Sequence, residues 1–315
     1  MKLGFLYAGQ GTQHPGMGAD LYEAYPAFCR VFNSAKLDFD LKKVCFEDPE
    51  GVLTQTQYTQ PCMVAFAAGL TAVLAEKGIH PAAAAGLSLG EYSALCAAGV
   101  LDAATAIELA AFRGKAMMQA AQGHAAAMVA VLGMERAPLQ ACCDEAADSG
   151  CVVIANYNCP GQLVLGGDKA AVEKAAALAK EQGARRCIPL NVSGPFHTPL
   201  MADAGNKLKE RFKALQFAQA EIPVIYNCLG REKSEAESIP ELLVRQVQSS
   251  VYMEDSIRRM AELGVDAIVE IGPGRALTGF VKKTVPGLPV YPLETAEEVS
   301  AFIEQMGKEE TEWKL

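Results

Sequence analysis

Apolar residues recur along this chain with two different spacings. Short continuous apolar runs predict buried strands, the first at residues 2–7 and another at 82–85. Apolar positions three and four residues apart predict helices, of which 60–77 and 102–121 are the longest. Because predicted strands and helices alternate along the chain, we expect an α/β protein with a parallel sheet.

Two stretches near the N-terminus give weaker patterns. Residues 20–33 are predicted to form one helix, and residues 40–60 are polar enough to be expected without regular structure.

The middle of the chain has its own order of elements. Residues 124–193 follow the order β-α-β-β-α-β, which is the ferredoxin-like arrangement. The predicted segments are 125–133, 135–148, 151–156, 162–165, 170–182 and 184–192. We therefore expect a discontinuous α/β domain of residues 1–123 and 194–315, interrupted by a small domain of residues 124–193. A cleft between the two domains is the expected ligand site.

Composition excludes several classes of function. The chain has 28 Lys and Arg against 37 Asp and Glu, a net charge of −9, whereas binding to nucleic acid or to anionic membranes needs basic surface. The longest apolar run, at 62–75, is shorter than the about 18 residues of a spanning helix. The 10 cysteines contain no C-x-x-C pair and predict free thiols in a reducing compartment. We expect a cytoplasmic protein with no nucleic-acid or membrane partner.

A candidate nucleophile lies in Gly86-Leu87-Ser88-Leu89-Gly90, which fits the pattern G-x-S-x-G. A serine at a sharp strand-to-helix turn needs glycine two residues away on either side, and the turn exposes its hydroxyl. The backbone N–H of the next residue, Leu89, can then face a developing oxyanion. A turn without chemistry has the same short pattern, so the motif alone leaves both interpretations open.

A serine hydroxyl needs a base to remove its proton, and histidine is the usual one. Of the four histidines, His80 and His124 lie far from the motif or at the domain junction, and His14 in the first glycine loop stays possible. His197 follows the small domain as Ser88 precedes it, so these two residues would flank the cleft from both sides. His197 is the best candidate base.

No carboxylate stands out as the third member of a triad. Asp102, Glu108 and Asp168 lie between the serine and the histidine in sequence, but none has a distinctive context. A backbone carbonyl that accepts from the histidine Nδ1–H would fix the tautomer equally well.

Two further features can be interpreted either as purely structural or as functional. The loop Gly9-Gln10-Gly11 fits neither a dinucleotide fingerprint nor a P-loop, so it is either a plain turn or a loop that brings the Gln10 N–H to a reacting carbonyl. Arg113 stands on an alanine-rich, apolar helix. It either faces solvent or points into the cleft, where a guanidinium can hold a carboxylate with two parallel hydrogen bonds.

Seven segments in order resemble the malonyl-CoA:acyl carrier protein transacylases of type II fatty acid synthesis and the related acyltransferase domains of polyketide synthases. They are GQGTQ (9–13), GLSLGEYSAL (86–95), RGKAM (113–117), NYNCPGQLVLGG (156–167), SGPFHTPLM (193–201), LVRQV (243–247) and EIGPGRALTG (270–279). The resemblance covers nearly the whole chain. It implies an α/β-hydrolase-like core with a ferredoxin-like insertion, which agrees with the predicted elements.

The resemblance also implies roles for individual residues. Ser88 would be the acylated nucleophile and His197 its base. Gln10 and Leu89 would supply the N–H groups of the oxyanion hole. Gln246 would orient His197 through its main-chain carbonyl, which would account for the missing acid.

Three more positions concern the substrate. Arg113 would hold the free carboxylate of a malonyl group, and Phe196 before the histidine looks like the malonyl-selecting form of its motif. Leu87 departs from the histidine that many members carry before the nucleophile.

The implied reaction is ping-pong transfer of malonyl from malonyl-CoA to the phosphopantetheine thiol of acyl carrier protein. A monomer would carry it out without a metal or cofactor. Two alternatives stay open. One is a malonyl transferase that serves a polyketide pathway, and the other is a serine esterase or thioesterase, which would need no carboxylate clamp.

Overall fold

The protein folds around two five-stranded sheets, seen in a computed structural model that describes residues 1–192 and 194–312. Residues 193 and 313–315, which fall within the predicted domain boundaries, lie outside the described residues. The strands are β1 (Leu3–Tyr7), β2 (Ala83–Gly86), β3 (Ala126–Leu132), β4 (Val152–Cys159), β5 (Gln162–Asp168), β6 (Arg186–Pro189), β7 (Val224–Ile225), β8 (Val251–Tyr252), β9 (Ala267–Ile271) and β10 (Val290–Leu293).

Helices connect these strands throughout the described chain. They are α1 (Ala19–Ala24), α2 (Pro26–Phe32), α3 (Leu41–Phe46), α4 (Thr56–Glu76), α5 (Gly90–Ala97), α6 (Ala103–Ala121), α7 (Arg136–Ala146), α8 (Lys169–Glu181), α9 (Ala202–Phe212), α10 (Ile239–Val247), α11 (Met253–Glu262), α12 (Ala276–Thr284) and α13 (Ala296–Glu312).

The larger sheet is parallel and has the order β10-β9-β1-β2-β7. Every residue of β1, β2 and β9 is buried, as expected for a parallel sheet covered on both faces. Since all its strands run the same way, their carboxyl ends meet at one edge. Loops after β1, β2 and β7 therefore lie side by side there, and this edge is where α/β proteins bind ligands.

The smaller sheet has the order β6-β3-β5-β4-β8. Its first four strands pair antiparallel and, with α7 and α8, form the predicted ferredoxin-like arrangement. The fifth strand, β8, pairs parallel with β4 and comes from the chain after the insertion. No sequence pattern predicted this two-residue strand. It joins the small sheet to the segment that carries α10 and α11.

Two N-terminal predictions were wrong. The single helix expected over 20–33 is two helices, α1 and α2, because Pro26 disfavours a helical conformation at the residue before it. The stretch expected to be irregular contains α3, whose N-terminus is capped by the Asp40 side chain. Helix α3 buries Leu41, Val44 and Cys45, so its few apolar residues all face the core.

Helix α4 contains the longest apolar run. At 21 residues it is long and apolar enough to cross a membrane, but 78% of its most apolar window is buried inside the protein. It packs beside α2 and α6 as a core helix, and a buried core helix satisfies the same length and composition test.

The turn between β2 and α5 depends on two glycines. A Cβ on Gly86 would lie 2.1 Å from the carbonyl carbon of Gly90, and a Cβ on Gly90 would lie 2.5 Å from the Tyr7 carbonyl oxygen. Both contacts are with backbone, which has little room to move away. Helix α5 can therefore start directly against the ends of β1 and β2 only with glycine at these positions.

We predict that Gly86→Ala lowers the free energy of unfolding by about 3 kcal/mol or more, because overpacking against backbone forces the turn apart. The matched control is Gly279→Ala in α12, where the new methyl meets nothing within 4 Å. Helix propensity alone should make that variant about 0.5–1 kcal/mol more stable. Urea unfolding curves measure both, and a Gly86→Ala protein as stable as wild type would contradict the packing argument.

Candidate active site

Ser88 sits at the turn between β2 and α5 with a backbone φ of 53°. This left-handed conformation costs an L-residue about 1–2 kcal/mol, so the surrounding structure must impose it. The side chain is half-buried, with its hydroxyl at the carboxyl edge of the large sheet. The structure thus confirms the sharp strand-to-helix turn predicted from the G-x-S-x-G pattern.

His197 lies one hydrogen bond away from this serine. Its Nε2 is 2.7 Å from Ser88 Oγ, although the two residues are 109 positions apart. Its Nδ1 is 2.9 Å from the main-chain carbonyl oxygen of Gln246. A carbonyl can only accept, so Nδ1 carries the proton and Nε2 is left to accept from the serine hydroxyl.

The other candidates for base and acid lie elsewhere. His14 contacts Glu294 (Nε2 to Oε1, 2.6 Å). His80 and His124 are exposed. Among the carboxylates, Asp102 caps α6, Asp168 accepts from the Cys151 N–H and Glu108 accepts from the Lys36 N–H. Within the described residues, the Gln246 carbonyl occupies the place beside His197 Nδ1 that an acid would take.

Burial and, to a smaller extent, the nearby positive charge of Arg113 lower the pKa of His197 to about 4. Both effects disfavour the imidazolium, while the contact with the Gln246 carbonyl partly opposes them. The imidazole is therefore neutral at physiological pH. A neutral Nε2 facing a serine hydroxyl is the state in which histidine can take up a proton.

Arg113 is completely buried beside the same hydroxyl. Its Nη2 donates to Ser88 Oγ at 3.1 Å and to the side-chain Oε1 of Gln246 at 3.0 Å. Within the described chain its Nε and Nη1 have no hydrogen-bond partner. Burial lowers its pKa, but an arginine stays charged in proteins. The site therefore holds a buried cation with unused donors, which an incoming carboxylate can satisfy.

Gln246 contributes more than the predicted carbonyl. Its side-chain Nε2 donates to the Ser88 carbonyl oxygen at 2.8 Å, while its Oε1 accepts from Arg113. One residue thereby contacts the nucleophile, the base and the cation. The amphipathic pattern of α10 places this buried polar side chain on its core face, but the pattern could not show which groups it meets.

Two backbone N–H groups belong to the loops at this edge of the sheet, Gln10 after β1 and Leu89 after β2. Within the described residues, neither the Gln10 N–H nor the Leu89 N–H has an intramolecular hydrogen-bond partner. Gly9 allows the first loop to approach the turn, since a Cβ there would lie 2.7 Å from the Leu87 carbonyl oxygen. The Gln10 side chain fixes the loop by donating to Thr56 Oγ1 at 3.1 Å. Paired free N–H groups can stabilise an oxyanion.

The remaining predicted positions border this arrangement. Phe196 is buried directly before the histidine, and Leu87 is half-buried against Gly9. In the described ranges no group of three or more His, Cys, Asp or Glu side chains is placed to hold a metal ion.

Sequence reasoning missed two residues beneath the serine. Asn227, just after β7, contacts the Ser88 backbone, and Glu91 in the first turn of α5 contacts Asn227 in turn. Both are completely buried, and burial raises the pKa of Glu91 to about 7. The sequence did offer a signal for both residues. Asn227 is a polar residue that follows an apolar strand, and Glu91 is a charged residue within an otherwise apolar helix.

Known proteins match this chain over its full length. The acyl transferase domain family matches residues 4–313. The malonyl CoA-acyl carrier protein transacylase of Bacillus subtilis (strain 168) is 41% identical over 311 residues, 98% of each chain. The transacylase structure from Clostridium perfringens superposes with a TM-score of 0.96 at 36% identity, over 100% of both chains.

A third relative was solved with a partner bound. A malonyl-transacylase in complex with its type II PKS acyl-carrier protein is 37% identical, has a TM-score of 0.92 and covers 97% of this chain and 100% of its own. These matches confirm the resemblance predicted from the seven motifs and the α/β fold with its parallel sheet. The chain belongs to the acyl transferase domain family and, within it, to the malonyl CoA-acyl carrier protein transacylases.

Proposed function

We propose that this enzyme transfers a malonyl group from malonyl-CoA to the phosphopantetheine thiol of an acyl carrier protein, through an ester on Ser88. The observation that carries the proposal is the buried Arg113, whose Nη2 lies 3.1 Å from Ser88 Oγ and whose Nε and Nη1 lack partners in the described chain. A cation so close to the nucleophile suits an acyl group that is short and ends in a carboxylate.

In the first half-reaction Ser88 Oγ attacks the thioester carbonyl and His197 Nε2 takes the hydroxyl proton. The N–H groups of Gln10 and Leu89 hold the resulting oxyanion. When the C–S bond breaks, the CoA sulfur leaves and receives the proton from His197. The Gln246 carbonyl keeps the imidazole in the tautomer that this proton transfer needs.

The second half-reaction runs the same steps in reverse. The carrier's thiol gives its proton to His197 and attacks the malonyl ester, and the proton then returns to Ser88 Oγ as the ester C–O bond breaks. The malonyl donor and the malonyl product are thioesters of the same kind of thiol, so the group transfer is close to thermoneutral. The acyl group is already activated, and the proposed chemistry therefore needs neither a metal nor a cofactor.

Arg113 gives the reaction its proposed selectivity. A malonyl carboxylate that enters a buried site without a partner would cost several kcal/mol. Two parallel hydrogen bonds from the guanidinium remove this cost and simultaneously satisfy the buried cation. An esterase or thioesterase of neutral acyl chains would have no use for such a cation, which disfavours that alternative.

We further propose that the enzyme acts as a cytoplasmic monomer in type II fatty acid synthesis. A relative of comparable similarity works with a polyketide carrier protein, so carrier specificity separates the two pathways. Transfer rates to a fatty acid carrier and to a polyketide carrier, measured side by side, decide between them.

Intact mass spectrometry after brief mixing with malonyl-CoA tests the function. We expect one malonyl adduct on wild type that disappears when holo acyl carrier protein is added. Ser88→Ala should form none, because the ester oxygen is gone. Release of the adduct as free malonate without any carrier protein would contradict transfer and favour a hydrolase.

Arg113→Ala should lower the malonyl transfer rate by about 100-fold or more, because two charge-assisted hydrogen bonds to the carboxylate are lost. Acetyl transfer by the same variant should change only a few-fold, since acetyl has no carboxylate. Comparing the two substrates on one protein corrects for any general damage. An equal loss of both rates would show that Arg113 does not hold the carboxylate.

The low pKa of His197 predicts a flat acid side of the pH profile. Labelling of Ser88 by a fluorophosphonate should proceed at a constant rate from pH 8 to about pH 5 and fall near pH 4, as His197 takes up a proton and loses its acceptor. A histidine at its ordinary pKa of about 6.5 would already halve the rate near pH 6.5. Such a midpoint would contradict the burial argument.

A further inference from the structure

Both backbone groups of Ser88 are held by side-chain carboxamides from distant parts of the chain. The Ser88 N–H donates to Asn227 Oδ1 at 2.6 Å, and Gln246 Nε2 donates to the Ser88 carbonyl oxygen at 2.8 Å. A residue held at φ 53° needs such contacts, since its conformation is otherwise unfavourable.

The Asn227 side chain makes two hydrogen bonds to the turn between β2 and α5. Besides accepting from Ser88, its Nδ2 donates to the Gly86 carbonyl oxygen at 2.6 Å. The carboxamide thus bridges the peptide groups on either side of Leu87. Only a side chain with an acceptor and a donor on one planar group can make both contacts, and asparagine has the length to do so from the end of β7.

The backbone of Asn227 is fixed in turn. Its N–H donates to the buried carboxyl group of Glu91 (Oε2, 2.6 Å), and its carbonyl oxygen accepts from the Tyr252 N–H at 2.8 Å. Glu91 lies in the first turn of α5, where the helix dipole favours an acidic side chain. Asn227 is completely buried, so no water competes for these contacts.

We infer that Asn227, anchored by Glu91, is a positioning residue that sets the direction of Ser88 Oγ and of the oxyanion-hole N–H of Leu89. Asn227 fixes the peptide group that precedes Ser88, and Gln246 fixes the carbonyl of the planar peptide group that joins Ser88 to Leu89. With both peptide groups held, the backbone angles of Ser88 and the direction of the Leu89 N–H are set. The inference rests on the proposed nucleophilic role of Ser88. It adds a residue that neither the motifs nor the proposed chemistry required.

Asn227→Ala removes both contacts and tests the inference. The readout is the second-order rate of Ser88 labelling by a fluorophosphonate, which needs the nucleophile and oxyanion hole but no malonyl transfer. We expect a loss of about 10- to 100-fold, the usual effect of a reacting group displaced by about 1 Å. For malonyl transfer the loss should appear in kcat, with the KM for malonyl-CoA changed less than about threefold.

Asn227→Asp is nearly isosteric and separates positioning from folding. Its carboxylate keeps the acceptor for the Ser88 N–H but repels the Gly86 carbonyl oxygen, whereas the protonated acid regains the donor. Its labelling rate relative to wild type should therefore rise as the pH falls from 8 to 5.5. Glu91 has a raised pKa of about 7 and titrates in this window, so each rate is divided by the wild-type rate at the same pH.

The matched control is Ser256→Ala in α11. It also removes a side-chain hydrogen bond of a buried residue, from Ser256 Oγ to the Tyr252 carbonyl oxygen at 2.8 Å, but contacts no group of the turn. We expect its labelling rate to stay within twofold of wild type, while its melting temperature falls less than that of Asn227→Ala, which loses two buried hydrogen bonds.

Three results would overturn the inference. A folded Asn227→Ala protein could label at the wild-type rate, Ser256→Ala could lose as much labelling as Asn227→Ala, or the Asp variant could show no dependence on pH relative to wild type. Failure of the proposed function looks different. Wild type would then label at Ser88 but transfer no malonyl, and the comparison of labelling rates would still decide the role of Asn227.

Discussion

The left-handed backbone of Ser88 is the constraint around which the active edge of the sheet is arranged. At φ 53° the serine projects its hydroxyl away from the turn. The backbone can pass this closely on either side of the serine only because Gly86 and Gly90 have no Cβ. The strand order β1-β2-β7 then matters, because it delivers the loop after β1 to one side of the turn and Asn227 to the other. The order of the strands thereby places the groups that hold Ser88 in its left-handed conformation next to it.

A second constraint is the buried charge of Arg113. In the free enzyme several of its donors lack partners within the described chain, and an uncompensated buried cation costs several kcal/mol of stability. The same charge helps to keep His197 neutral and therefore ready to act as a base. Gln246 links the cation, the base and the nucleophile through direct hydrogen bonds. In the proposed reaction, a carboxylate paired with Arg113 would therefore lie next to the reacting groups.

The small sheet makes direct contacts with the segment that follows α10, which lies next to Ser88. Strand β8 extends it from the segment that follows α10, Ser250 Oγ donates to the Ile154 carbonyl oxygen, and the rings of Tyr157 and Tyr252 stack with centroids 4.9 Å apart. The Tyr252 N–H also donates to Asn227. The small sheet therefore shares backbone hydrogen bonds with the segment that holds the nucleophile.

Hydrophobic periodicity along the chain was enough to predict the alternation of strands and helices and the ferredoxin-like insertion. Glycine spacing and the scarcity of histidines were enough to name Ser88 and His197 as the candidate nucleophile and base. The sequence pattern failed to predict α3, because its few apolar residues lie in a polar stretch, and it did not predict β8. A backbone carbonyl was one of the partners that the sequence left open for the histidine, and the folded chain places the Gln246 carbonyl there. The contacts of the Gln246 side chain with Arg113 and Ser88, and those of Asn227 with the turn, are visible only in the folded chain. The side-chain contacts of Gln246 and Asn227 join residues more than 100 positions apart, and no local pattern encodes contacts over such separations in sequence.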